Sequence, residues 1–313
     1  MIPATAPIAG RVRAYFAPVD RAAAAPTLFD AAQLGRFALD APPAPWIDLG
    51  WISRFTRKSA TKIEPLRAGA PAVAVAQVRS ELEATVSFDF ESWGRLQATL
   101  ASGSQTINLL ATASSGLAAP PVPLLNGTGP ASTSTALNVG PAAAAAFAPG
   151  SLIAVDLDYT GETGYIGSGI SSAYVRTPLA DINAIRRVTA NVGIVAEIAG
   201  GILQLAAPLT AGTPSAAMQI STVTGFCDRE GASFFTEWSA LFVLEGTQGD
   251  RILFHYPRLQ AMQGSSESAT PLAAPLETIR LAAAFRALPI KDAADGETVL
   301  CFRTYLPAPL RTV

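Results

Sequence analysis

The stretch "SELEATVSFDF", residues 80–90, constrains this chain more than any other. Leu82, Ala84, Val86, Phe88 and Phe90 recur at every second position, and Glu81, Glu83, Thr85, Ser87 and Asp89 fill the positions between. A helix would scatter these apolar residues around its circumference, whereas a strand collects them on one face. The period of two predicts a half-buried strand with an acidic wet face. Leaving Leu82, Val86, Phe88 or Phe90 in water costs about 1.5–3 kcal/mol each, so a core must lie against that face.

The period then changes. In "ESWGRLQATLASG", Trp93, Leu96, Gln97 and Leu100 follow helical spacing, and Gly103 stands where a helix stops. Elsewhere the signals are β. "WIDLGWISRFTRK" predicts strand-turn-strand, followed by a polar, basic loop, "TRKSATKIEPLRAG". "SLIAVDLDY" predicts a strand. "RRVTANVGIVAEIAGGILQLAAPLTAG" predicts two strands joined at Gly200 and Gly201. "SFFTEWSALFVLEGTQGDRILFHYPRLQ" predicts a hairpin turning at Gly246 to Gly249. In "LETIRLAAAFRALP", Ile279, Leu281, Ala283, Phe285 and Ala287 alternate with Arg280, Ala282 and Arg286. "DAADGETVLCFRTYLP" opens on an Asp-Gly turn and ends in a strand.

Half of the 313 residues are apolar and 15% are charged, yet no run reaches the ~20 apolar residues of a membrane-spanning helix. With 25 glycines and 24 prolines, the composition points to a loop-rich, mainly β protein. Residues 1–45 are expected to form an N-terminal arm with one short strand, "GRVRAYFAPV", on which Val12, Ala14 and Phe16 share a face. The proline- and serine-rich stretch 112–135 has the composition of a linker. It divides the chain into a discontinuous β domain, 46–112 plus 225–313, and an inserted all-β subdomain, 113–224.

Chemistry-bearing motifs are sparse. The net charge of -2 gives no basic footprint for nucleic acid. The opening "MIPATAPIAGRVRAYF" lacks the order of a signal peptide, which predicts no export by the usual routes. His255, the only histidine, lies in "DRILFHYPRLQ" on a face shared with Arg251 and Leu253. That face is mixed, so His255 is expected at a surface or a subunit contact, and no G-x-S-x-G, H-E-x-x-H or reactive-cysteine signature accompanies it to suggest a catalytic role. Cys227 and Cys301 lack C-x-x-C partners, and with one histidine they fall short of a zinc site. They are expected to be small buried or half-buried side chains. "GETGYIGSG" (Gly161 to Gly169) lacks the lysine and Ser/Thr of a phosphate loop and is expected to be a hairpin tip. Asp156 and Asp158, with Glu162 nearby, are a weak calcium candidate without EF-hand spacing. No cofactor and no metal is expected.

The order "PAPWIDLGWISRF", a polar loop, "ATVSFDFESWGRLQATLASG", an insertion, "EWSALFVLEGTQGDRILFHYPRLQ", an apolar strand and a final strand resembles the major tail tube proteins of tailed bacteriophages. The resemblance covers roughly 46–111 and 225–313 and rests on the order of elements and the W-x-D-L-G start. It implies a tail-tube-type β-sandwich with one flanking α-helix, carrying the inserted all-β subdomain. It also implies a structural, non-enzymatic subunit that forms hexameric rings stacked into a tube through which DNA passes. The partners implied are further copies of itself, tail terminator and tail-tip or baseplate proteins, and a tape-measure protein in the lumen. Its place would be the virion tail, assembled in the host bacterial cytoplasm without membrane insertion.

Within this reading Glu81, Glu83 and Asp89 are the candidates for lumen lining, where like charge would hold phosphate off the wall. Arg54, Arg57, Lys58, Lys62 and Arg67 are the candidates for ring-to-ring contact. Three rivals stand beside it: a terminator, tip or baseplate protein of the same fold; a module binding carbohydrate or a receptor through the insertion; and a β-sandwich hydrolase using Asp156 and Asp158 or Glu230.

Overall fold

The computed structural model describes residues 9–19, 26–32, 37–43, 46–103, 105–110, 121–125, 129–157, 191–209, 212–229, 237–247, 249–262, 266–268 and 280–307. It is mainly β, with antiparallel pairing throughout and two helices among these residues. Three strands open the chain: β1 (Ala9–Pro18), β2 (Ile47–Ala68) and β3 (Val73–Phe90). Helix α1 (Arg95–Ser102) follows. Next come β4 (Gln105–Leu110), β5 (Val122–Pro123), β6 (Ala136–Asn138), the single-turn α2 (Pro141–Ala144), β7 (Leu152–Leu157), β8 (Val192–Ala199), β9 (Ile202–Leu205) and β10 (Met218–Arg229). The chain ends with β11 (Glu237–Gly246), β12 (Arg251–Ala261), β13 (Ser266–Ser268), β14 (Arg280–Ala287), β15 (Ile290–Lys291), β16 (Thr298–Val299) and β17 (Phe302–Leu306).

The first sheet has the order β13-β14-β3-β2-β1-β11-β12-β17, and β14 also pairs with β12. That extra pairing closes β14, β3, β2, β1, β11 and β12 into a ring. The two layers of a sandwich thus become opposite sides of one curled sheet. The alternation of β3 is as expected where it meets the ring: Ala84, Val86, Phe88 and Phe90 are buried inside it. Leu281, Ala283 and Phe285 of the adjacent β14 stand beside Phe90, Phe88 and Val86 on the same wall, Ala287 joins the same core, and Ile279 lies outside the described residues. Phe16 sits among four rings, with centroids 6.3 Å from Phe88, 6.5 Å from Trp238, 5.9 Å from Phe242 and 5.5 Å from Phe285.

Two expectations change at the start of the chain. The short strand at "GRVRAYFAPV" is present, but it lies between β2 and β11 in the middle of the sheet, with Ala14 and Phe16 wholly buried. "WIDLGWISRFTRK" is one continuous strand, not strand-turn-strand. Its inward residues are Ile47, Leu49, Ile52, Phe55 and Arg57, and the two three-residue steps are β-bulges. Gly50, at φ 80°, supplies one bulge, and Arg54, at φ 52°, supplies the other. These bulges break the period of two, which is why the sequence read as a turn.

Helix α1 begins after Trp93, which remains exposed outside it, and ends at Gly103 in the left-handed conformation with φ 62°. Leu100 and Ala101 enter the same core as the barrel strands.

The second sheet has the order β4-β10-β7-β8-β9-β6, and β5 also pairs with β10. It has its own apolar cluster, with Leu137, Ile153, Val155, Val195, Leu203 and Ile220 at its centre. Gly200 and Gly201 make the turn between β8 and β9 as expected. The sheet reaches beyond 113–224 at both ends, to Gln105 and Arg229.

The central place of Phe16 predicts a large loss on truncation. Phe16→Ala should lower the unfolding free energy by about 3–5 kcal/mol, a typical cost for deleting a buried ring. A urea titration monitored by circular dichroism measures it. A loss below about 1 kcal/mol would show that the ring cluster does not hold the barrel.

Candidate functional site

Both sets of candidate assembly residues fall on the hairpin formed by β2 and β3. At its base the hairpin belongs to the ring: β1 pairs with β2 as far as Ile52, and β14 pairs with β3 as far as Thr85. Beyond those points each strand has only the other as its neighbour among the described residues. The result is a two-stranded ribbon in which residues 58–83 are exposed throughout. The expected polar loop at "TRKSATKIEPLRAG" is therefore the outer half of β2, and "VAVAQVRSEL" is its partner. The ladder places Lys62 opposite Glu81, Ala60 opposite Glu83 and Lys58 opposite Thr85.

The lumen candidates are not bare carboxylates. Glu81 lies 3.9 Å from Lys62, Glu83 lies 3.0 Å from Arg286 of β14, and Asp89 lies 3.3 Å from Arg54. Asp89 is buried, unlike the other two, because the bulge at Arg54 folds the strand over it. One cation beside each carboxylate cancels most of the field that this face would otherwise send into solvent.

The five cations of the basic tract have different surroundings. Arg54 is paired with Asp89, and Lys62 bridges Glu81 and Glu64, the latter at 3.3 Å. Arg57 turns into the mouth of the barrel. Its Nε donates to the Tyr256 hydroxyl at 3.1 Å, and its guanidinium lies 4.9 Å from the Phe254 ring centroid. Burial pushes the Tyr256 phenol up to about 12, with the hydrogen bond from Arg57 opposing the shift. Lys58 and Arg67 are exposed and make no ion pair among the described residues.

The sequence reading missed the apolar load of the ribbon. Ile63, Leu66, Val73, Val75, Val78 and Leu82 are each at least 41% exposed. Leu66 and Val78 share the face of Lys62 and Glu81, whereas Ile63 and Leu82 lie on the other face. The alternation in "VAVAQV" was the available signal, hidden by the glycine and prolines before it. Leu82, expected in the core with Val86, is exposed because the ring ends below it.

His255 is buried, contrary to the expected surface position, with 3% of its area exposed. The reason lies in residues 26–43, whose described parts lie over this face: Phe29 packs 6.4 Å from the imidazole, and Trp46 5.9 Å. Cys301 is a half-buried free thiol packed against the barrel core, and burial raises its pKa. Asp156 is buried on β7. Asp158, Glu162, Gly161 to Gly169, Glu230 and the side chain of Cys227 lie outside the described residues. No cluster of three metal-ligating side chains occurs among the described residues, and no helix among them is long and apolar enough to cross a membrane.

Compared with protein-family models and with curated proteins, the chain matches none.

The ion pairs of Glu81 and Glu83 are exposed, and such pairs contribute about 0–1 kcal/mol. Glu81→Gln and Glu83→Gln should each move the urea unfolding free energy by less than about 1 kcal/mol. A loss of 2 kcal/mol or more from either would make that carboxylate a structural element of the barrel.

Proposed function

We propose that this chain is a self-assembling structural subunit, a tail tube protein whose hexameric rings stack around a channel for DNA. The observation that carries the reading is the exposed ribbon of β2 and β3. Isolated two-stranded ribbons are marginal in water, and an unpaired edge invites another strand. This ribbon has two such edges and apolar side chains on both faces. A neighbouring copy supplies the missing partner, with Lys58, Arg67 and the previously unassigned Arg79 available for its acids.

The alternation of β3, the helix α1 at the barrel and the order of elements support the tail-tube-type β-sandwich that the sequence resembles. In this reading Glu81 and Glu83 line the channel together with Lys62 and Arg286, whereas Asp89, buried beside Arg54, does not reach it. Such a lining is nearly neutral, so it gives DNA little to adhere to. That modifies the purely repulsive wall expected from the carboxylates alone. The subunit works without catalysis or cofactor. Its partners would be its own copies, terminator and tip or baseplate proteins, and a tape-measure protein, in the virion tail.

Negative-stain electron microscopy and mass photometry test the proposal. The purified chain should form rings or tubes with a central channel. Ile63→Lys combined with Leu82→Lys, on the face turned away from the proposed channel, should reduce it to monomers that still unfold cooperatively, because both side chains are exposed outside the core. A monodisperse wild-type monomer at all protein and salt concentrations would overturn the reading.

A further inference from the structure

The buried imidazole of His255 has no role in assembly as proposed, and its surroundings are unusual. Residues 26–32 and 37–43 form a strap over the outer face of β1, β11 and β12. Beneath it Tyr15, Ala17, Leu241, Val243 and Leu253 form a separate apolar cluster with Phe37 and Trp46. At Thr27 the strap is held to the sheet: its N–H donates to the Ser239 Oγ at 2.9 Å, and its carbonyl accepts from the His255 Nε2 at 3.3 Å. Further along, the Tyr15 hydroxyl donates to the Leu39 carbonyl at 2.9 Å, and Arg13 binds Asp40 at 2.6 Å.

The second ring nitrogen, Nδ1, is buried with no hydrogen-bond partner among the described residues. Phe29, Trp46 and Phe302 surround the imidazole, with Phe302 stacked at 5.8 Å. Among the described residues, none of the charged groups on the neighbouring elements compensates a charge there. On the strap, Asp30 is exposed and accepts from the Ala32 N–H, and Asp40 is engaged by Arg13. On β1, the Tyr15 hydroxyl is committed to Leu39 and Arg13 is held by Asp48 and Asp40. β11 and β17 place Leu241 and Phe302 opposite His255, while Arg303 lies opposite Phe254 on the other face. The pairs of Arg251 with Glu245 and Arg258 with Glu237 stand at the two ends of the β11–β12 hairpin.

We propose that His255 is an acid-operated latch: its protonation releases the strap and bares the apolar face of β1, β11 and β12. Among the described residues a proton on Nδ1 has no acceptor, and an imidazolium in this box has no counter-ion. In the open state both needs are met by water. The proposal is independent of the assembly reading.

The sign follows from linkage. Burial lowers the imidazole from its ordinary 6.5 to about 4, with the Thr27 hydrogen bond opposing the shift. The closed strap is therefore fully favoured above pH ~6.5 and loses ground as pH falls towards 4. Each unit shifts the opening equilibrium by about tenfold, about 300-fold in total.

Hydrogen exchange with mass spectrometry, corrected for the pH dependence of intrinsic exchange, reads that equilibrium at the Thr27 amide. Between pH 7 and pH 4 the protection of strap peptides should fall by up to about 300-fold, while peptides from β3 and β14 keep theirs. In His255→Phe the strap protection should not change with pH. Phe29→Ala, which loosens the closed state, should lower strap protection by a similar factor at every pH, and so raise the pH at which the strap is half open in the otherwise wild-type chain. Equal loss in strap and barrel peptides would mean global unfolding and overturn the latch. So would strap protection that stays constant in the wild type, or that falls equally in His255→Phe. Should His255→Phe not fold, the separation of strap from barrel peptides in the wild type and the Phe29→Ala shift decide the matter.

Discussion

Closure of the first sheet through β14 is the constraint on which the rest of the structure depends. One edge of β14 pairs with β3 from Phe90 to Thr85, and its other edge reaches β12 at Leu259 to Ala261. Without that second pairing the strands would form an open, twisted sheet with its aromatic face half in water. With it, Phe16, Phe88, Phe242 and Phe285 meet inside one enclosure, and Phe88 stacks on Phe285 at 5.8 Å. The stacked pair comes from adjacent strands, β3 and β14, whereas Phe16 and Phe242 approach from the far wall. Ring packing and ladder closure thus support each other, since neither geometry holds if the other opens. The exposed ribbon follows from the same closure. β2 and β3 are far longer than the wall they contribute to, so what extends past Thr85 leaves the ring with no neighbours.

The outside of the barrel is finished differently on its two sides. β11 is buried on both faces because the strap covers what the interior does not. That explains why "EWSALFVL" is nearly continuous in apolar residues, whereas β3 alternates cleanly. The cover also accounts for the burial of His255 and Ser239, two polar side chains on a face that a bare sheet would have left wet. Ser239 is satisfied twice, accepting from Thr27 and donating to the Pro257 carbonyl at 2.7 Å. His255 is satisfied once, and this asymmetry makes it the weak point under the strap.

Much of this was legible in the sequence where a local period governed the outcome. Strand β3, strand β14, the stop of α1 at Gly103 and the β8–β9 turn each follow from spacing within a dozen residues. The misses arose where a distant segment decided the result. Nothing near His255 in sequence says that residues 26–32 and 37–43 will lie over its face of the sheet. Nothing in "WIDLGWISRF" separates two bulges from a turn, since both break the same alternation. The ribbon was misread because proline and glycine at its tip suggested loop, and cross-strand pairing outweighed that local signal. For the candidate site, the hairpin's base was readable, but its ion pairs were not. Arg286 meets Glu83 across a separation in sequence that no pattern reports.

Charge placement carries the last step. The exposed ribbon, residues 58–83, has four cations, Lys58, Lys62, Arg67 and Arg79, against three carboxylates, Glu64, Glu81 and Glu83. That leaves +1 on the ribbon, and since the whole chain stands at -2, the remainder carries -3. Two ribbons laid against each other would bring like charge together, with a repulsion that salt only partly screens. A ribbon laid against the body of another copy brings opposite charges together. In the proposed assembly this asymmetry favours a head-to-tail contact over a two-fold symmetric one. Head-to-tail contacts close into rings when the rotation permits and otherwise run on as filaments. A subunit that must build rings and then stack them needs a contact of that kind, and a projecting, oppositely charged arm provides it more directly than a flat self-complementary patch.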